Sequence, residues 1–150
     1  MEQKQGQNFS LALKHMITIS TTVTASIDRV WEFWTSPDKI ITWAFAADTW
    51  ECPFAENDVR VGGHFLTRMQ AKDGSAGFNF EGTYTNVVPM GYIAYTIAGD
   101  GRAVTIIFEK ISETETKVTQ SFDPEHENSE EMQRAGWQSI LNNFKKAVEA

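Results

Sequence analysis

Residues 63–122 read GHFLTRMQAKDGSAGFNFEGTYTNVVPMGYIAYTIAGDGRAVTIIFEKISETETKVTQSF. Side chains alternate in character along each segment, and short glycine-bearing or polar breaks divide the segments. In residues 63–70, Phe65, Thr67 and Met69 share a face, and Lys72-Asp73-Gly74-Ser75 has hairpin-turn chemistry. Residues 78–88 put Phe78, Phe80, Gly82 and Tyr84 on one face and Asn79, Glu81, Thr83 and Thr85 on the other. Pro89-Met90-Gly91 turns the chain into residues 92–97, and Gly99-Asp100-Gly101 turns it into 103–111, where Val104, Ile106 and Phe108 align. A last segment, 116–122, presents Val118, Gln120 and Phe122 together. A period of two predicts five β-strands. Turns this short demand antiparallel neighbours, so the strands form a meander.

Upstream, residues 16–24 alternate as well, with Ile17, Ile19, Thr21 and Val23 on one side, and predict a sixth strand. Ser26 then offers an N-cap, and Ile27, Val30, Trp31 and Trp34 follow at helical spacing. Ser36-Pro37 restarts a second short helix, with the proline at the first helical position, and Trp43 closes the pair. Residues 46–61 carry mixed signals: Trp50 fits a short strand, whereas Pro53, Asn57 and Asp58 suggest a loop.

Downstream, Asp123-Pro124 breaks the pattern and Ser129 is the expected N-cap of a long helix. Glu130 and Glu131 lie in its first turn and Lys145 and Lys146 near its end, which suits the helix dipole. Met132, Gly136, Ile140, Phe144 and Val148 form its expected inward stripe, widened by Trp137 and Leu141. The architecture expected is α+β: a curved antiparallel sheet of about six strands around a C-terminal helix. No linker or repeat divides the 150 residues, so residues 16–150 read as one domain and residues 1–15 as a loosely held extension.

Composition narrows the function classes. A formal net charge of -7 repels polyanions, so neither nucleic acid nor an anionic membrane surface is an expected partner. Cys52 is the sole cysteine, which excludes an intrachain disulfide and fits a reducing cytoplasm. Ten Phe, five Trp and three Tyr supply rigid, bulky walls.

One helix about 10 Å across cannot fill the concave side of a twisted sheet of that width. The remainder is either packed by the aromatic rings or left as a pocket. Gly136 bears on this, because glycine inside a helix costs about 1 kcal/mol relative to alanine. Two readings are open for it: close approach to a strand, or room for a ligand beside Trp137. Gln120 points to the same side as Val118 and Phe122, and a buried amide needs a partner. Backbone or a bound molecule would serve. Tyr84 and Tyr95 pose the same question.

Several local signatures share an order and spacing. They are Val30-Trp31, Thr35-Ser36-Pro37 leading to Trp43, Val61-Gly62-Gly63 with Phe65, and Gly82-Thr83-Tyr84. They continue with Tyr95-Thr96, residues 104–108, residues 116–119, and Gly136-Trp137. On these the chain resembles the START-like (SRPBCC) superfamily with its helix-grip fold, and within it the branch of the Hsp90 ATPase activator homologue C-terminal domain. The resemblance implies a deep apolar cavity between helix and sheet. It also implies a range of uses: binding of hydrophobic molecules, co-chaperone stimulation of a heat-shock ATPase, or cyclase and dehydratase chemistry.

The expected function is binding of a small apolar, aromatic or lipid-like molecule in a cytoplasmic protein, rather than catalysis. The expected contacts are Trp43, Phe65, Met69, Phe78, Phe80, Tyr84, Tyr95, Ile106, Phe108, Gln120, Trp137 and Leu141. A chaperone partner or a homodimer is the alternative kind of partner. No cofactor and no metal are expected: His15, His64 and His126 are scattered, and His126-Glu127 lacks the second helical histidine of a zinc protease. Alternation turns His64 away from the cavity unless a bulge at Gly62-Gly63 reverses it.

Overall fold

The computed structural model describes residues 15–150. The expected extension lies outside the described residues apart from His15, whose Nε2 sits 2.9 Å from Glu130 Oε1 on the surface. The elements run β1 (Ile17–Val23), α1 (Ile27–Thr35), α2 (Pro37–Ile40), β2 (Trp50–Asn57), β3 (His64–Ala71), β4 (Gly77–Val88), β5 (Tyr92–Ile97), β6 (Ala103–Ser112), β7 (Glu115–Phe122) and α3 (Glu130–Glu149).

All seven strands join one antiparallel sheet in the order β1-β7-β6-β5-β4-β3-β2. The sheet thus has one strand more than expected. The addition is β2, whose alternation is broken by a register shift between Glu51 and Phe54. Pro53 lies in that shift, at a sheet edge, where a missing N–H costs no ladder bond.

Both predicted N-caps form. Ser26 Oγ accepts from Arg29 N at 3.3 Å and Ser129 Oγ from Met132 N at 3.1 Å. The inward stripe of α3 differs at its start. Met132 is 62% exposed, and Gln133 is the buried residue of the first turn. Its amide is spent locally: Oε1 accepts from Glu125 N at 2.9 Å, and Nε2 donates to Asn128 O at 2.8 Å and Glu125 O at 3.1 Å. A helix entered from an irregular segment needs those loop groups satisfied, and a glutamine does this where methionine cannot.

Helix α3 lies along β1, while α1 packs on α3, β6 and β7, and α2 packs on β2. As an edge strand, β1 presents unpaired carbonyls. Three residues of α3 cover them: Arg134 Nη1 donates to Thr18 O at 2.7 Å, Gln138 Nε2 to Ser20 O at 3.3 Å and Lys145 Nζ to Thr22 O at 2.6 Å. The core between sheet and helix is formed by Ile17, Val23, Val30, Ile93, Ile106, Phe122, Leu141, Phe144 and Val148, all nearly inaccessible to solvent.

Candidate functional site

Under the middle of α3 the packing is incomplete. A cavity of about 110 Å³ lies between the helix and the β3–β5 side of the sheet. Nine of the twelve expected contacts meet there. Strand β3 supplies Phe65 and Met69, β4 supplies Phe80 and Tyr84, β5 supplies Tyr95, and β7 supplies Gln120. Trp137 and Leu141 come down from α3, and Trp43 comes from the segment after α2.

Phe78, Ile106 and Phe108 stand elsewhere. Phe78 has the right parity, being paired with Met69, yet is 49% exposed and its ring sits 6.2 Å from that of Trp50. A twelve-residue strand spans about 40 Å at 3.4 Å per residue, so β4 runs beyond the helix that covers its middle. Ile106 is fully buried on β6, directly opposite Gln120, and Phe108 packs edge-on against Trp31 and Trp34 at 5.3 and 5.7 Å. These two residues belong to the packed core.

The cavity also has walls that sequence reasoning missed. Trp34, Ile40, Ala44 and Ile140 add apolar surface, and Asn57 and Thr67 add polar atoms. Thr67 carried a usable signal, since alternation placed it with Phe65 and Met69. Asn57 carried none, because its strand was not legible.

Aromatic geometry shapes the walls. The Phe65 ring lies 5.6, 5.4 and 4.7 Å from those of Phe80, Tyr84 and Tyr95. It crosses β4 at Gly82, where a Cβ would collide with the Thr96 carbonyl oxygen and approach Phe65 ring atoms to 2.8 Å. Trp137 is stacked flat on Phe122, with centroids 3.9 Å apart and planes within 10°. Gly136 resolves differently from either reading offered by the sequence. A Cβ there meets nothing within 4 Å, so no strand approaches closely, and the residue is not among those lining the cavity.

The polar groups fall into two kinds. Tyr84 is satisfied: its hydroxyl donates to Asn57 Oδ1, and Asn57 Nδ2 donates to Thr35 O at 2.8 Å. The amide N–H to a carbonyl fixes which way Asn57 faces. Gln120 is not satisfied. It is 7% exposed, none of the described residues hydrogen-bonds its side chain, and its amide reaches the open space of the cavity. Its cross-strand neighbours, Ile19 and Ile106, are apolar. The Tyr95 hydroxyl is likewise without a partner among the described residues. Burial pushes both phenols well above their ordinary range. For Tyr84 the Asn57 bond opposes that rise and the charge of Asp58 adds to it, while for Tyr95 the nearby Tyr84 adds to it.

Other candidate chemistry lies away from the cavity. His64 pairs regularly with Thr83, so no bulge reverses it, and its Nδ1 meets Thr83 Oγ1 at 3.0 Å on the exposed face. His126 is exposed. Cys52 is buried and donates to Phe54 O at 3.4 Å, and burial raises its thiol pKa, which keeps it a poor nucleophile. Among the described residues no group of three or more His, Cys, Asp or Glu is placed to hold a metal. No described helix is long and apolar enough to cross a membrane.

The family model described as activator of Hsp90 ATPase homolog 1-like protein matches residues 24–149. The chain belongs to that family. The AHSA1-like protein from Aeromonas hydrophila, a solution NMR structure, superposes with a TM-score of 0.80 at 39% identity, over 89% of this chain and 92% of that one. Chr148 from Cytophaga hutchinsonii gives 0.76 at 46% identity, over 89% and 92%. The Aha1 dimer from Colwellia psychrerythraea, at 17% identity, shares the fold with a TM-score of 0.69 over 91% and 97%. No curated protein matches the sequence. AHSA1-like membership agrees with the START-like branch and the helix-grip architecture expected from the sequence signatures.

Proposed function

We propose that the protein binds a small, largely apolar molecule in the cavity between α3 and the sheet. The observation that supports this most is the void itself. Interiors pack as densely as organic crystals, and an unfilled volume costs about 24 cal/mol per Å³. A hollow of about 110 Å³ bordered by buried aromatic rings stands out against that packing.

Size limits the occupant. An engineered cavity of about 150 Å³ accepts benzene, so 110 Å³ suits a single ring once the flexible Met69 side chain adjusts. At small-ligand efficiencies such a molecule binds in the micromolar to millimolar range. Binding is favoured over turnover by the lining. Among the described residues its ionisable groups are Tyr84 and Tyr95, and both are protonated at neutral pH.

Trp137 reports the outcome directly, since one side of its indole is pinned to Phe122 while it lines the cavity. Single-ring compounds titrated to millimolar concentration should change tryptophan emission saturably. Trp137→Ala should weaken binding while leaving the circular dichroism intact. Failure of every single-ring probe to saturate, by fluorescence and by NMR shift perturbation, removes this reading.

The description of the matching family favours a second reading, stimulation of a heat-shock ATPase. Faster ATP hydrolysis by such an ATPase on adding the purified protein would support it. Absence of physical association would dispose of it.

A further inference from the structure

Resting on the cavity reading, the geometry points to an occupant of one chemical class: an uncharged single ring carrying a primary amide or lactam, paired edge to edge with the amide of Gln120. Three observations converge. First, Gln120 is more than nine-tenths buried, without a hydrogen-bond partner among the described residues, and bounded on both neighbouring strands by isoleucine. Its donor and acceptor are therefore available only towards the cavity that it lines. A buried amide left unmatched is unfavourable, and a second amide satisfies both halves at once through two N–H to C=O hydrogen bonds.

Second, the Tyr84 proton is already committed to Asn57, whose own orientation is set by the Thr35 carbonyl. Towards the cavity Tyr84 offers only lone pairs, so it complements an N–H and not a bare carbonyl. The free hydroxyl of Tyr95 is able to play either part. Third, no Asp, Glu, Lys, Arg or His among the described residues lines the space. An acid or amine entering as an ion would be buried without a counter-charge, which is heavily disfavoured. Polar, neutral and two-sided recognition is what remains.

The test uses the full chain and four probes at pH 7: toluene, phenol, benzamide and benzoate. Benzamide should bind about tenfold more tightly than toluene, the equivalent of about 1.4 kcal/mol, and benzoate should not saturate. Gln120→Leu should abolish the preference for benzamide while leaving toluene binding unchanged or tighter. Its melting temperature should equal or exceed that of the parent, because an unmatched polar group has been removed. Gln120→Met, of similar length, guards against a packing defect peculiar to leucine.

Toluene or phenol matching benzamide, or both variants keeping the parent's selectivity, overturns the amide assignment and leaves the cavity reading intact. Saturable benzoate binding comparable to that of benzamide also overturns it. Silence from all four probes removes the cavity reading and this inference with it.

Discussion

The two halves of the space beneath α3 use the same residue types to opposite ends. Towards α1, Trp31, Trp34, Trp43, Phe108 and Phe144 interlock, mostly edge to face, at centroid distances of 4.8 to 5.7 Å, with Trp34 and Trp43 forming the boundary between this cluster and the cavity. Trp43 Nε1 there donates to Phe33 O at 2.9 Å. Towards β3–β5, Phe65, Phe80, Tyr84, Tyr95 and Trp137 make comparable ring contacts but surround a void, and Gln120 remains unmatched. Aromatic content alone therefore does not distinguish a filled core from a lined pocket. The satisfaction of the polar atoms among the rings does.

The contrast can be broken most easily by truncation. Phe144 is 0% exposed in the filled half, so Phe144→Ala should cost about 3–5 kcal/mol. Phe80 is only half-buried and already borders empty space, so Phe80→Ala gives up fewer contacts and should cost less than half as much. Equal losses in urea denaturation would show that the two halves are packed alike.

Gly82 sharpens the same point. Its missing side chain admits the Phe65 ring that walls the pocket, so Gly82→Ala should destabilise by about 1–3 kcal/mol through overpacking. A neutral result would mean that both the Phe65 ring and the Thr96 carbonyl can move aside.

The tyrosines give a pH signature. In the unfolded chain a phenol ionises near pH 10, whereas burial holds Tyr84 and Tyr95 protonated in the folded state well beyond that. Their contribution is complete below about pH 10 and is lost above it, by up to about 1.4 kcal/mol per pH unit for each tyrosine. Tyr95→Phe should roughly halve the fall in stability between about pH 10 and 11.5, as measured by chemical denaturation. An unchanged slope would place the Tyr95 hydroxyl in water.

The smallest effect concerns the helix itself. Gly136→Ala meets no neighbour and should raise stability by about 1 kcal/mol. A loss instead would reveal a contact at that position that the geometry lacks.

Much of this was legible because β-strand parity and helix capping are local properties. Strands β3 to β7, both N-caps and the Pro37 helix start needed nothing beyond neighbouring residues. Strand β2 escaped because its pairing is interrupted at Cys52-Pro53, and it is held in the sheet by β3 rather than by its own alternation. Parity named the face of Phe78 correctly but says nothing of how far a helix reaches along a strand. Ile106 and Phe108 share the face of Gln120, yet only the position of α1 decides that their end is filled. The start of α3 was misjudged for a similar reason. Periodicity favoured Met132, while the unsatisfied groups of residues 125–128 selected Gln133.

The row of contacts from Arg134, Gln138 and Lys145 to the β1 carbonyls bears on how a guest would come and go. Swinging α3 outward would sever all three together and strip Leu141, Phe144 and Val148 of their cover, at about 1.5–3 kcal/mol for each side chain. The four-residue α2 and the span that follows it are pinned as well: Ile40, Trp43 and Ala44 are buried, and Asn143 Nδ2 donates to the Trp43 and Phe45 carbonyls at 3.2 Å. The long helix is therefore a fixed jamb, and a guest would have to enter by side-chain movement at the cavity mouth rather than by lifting α3.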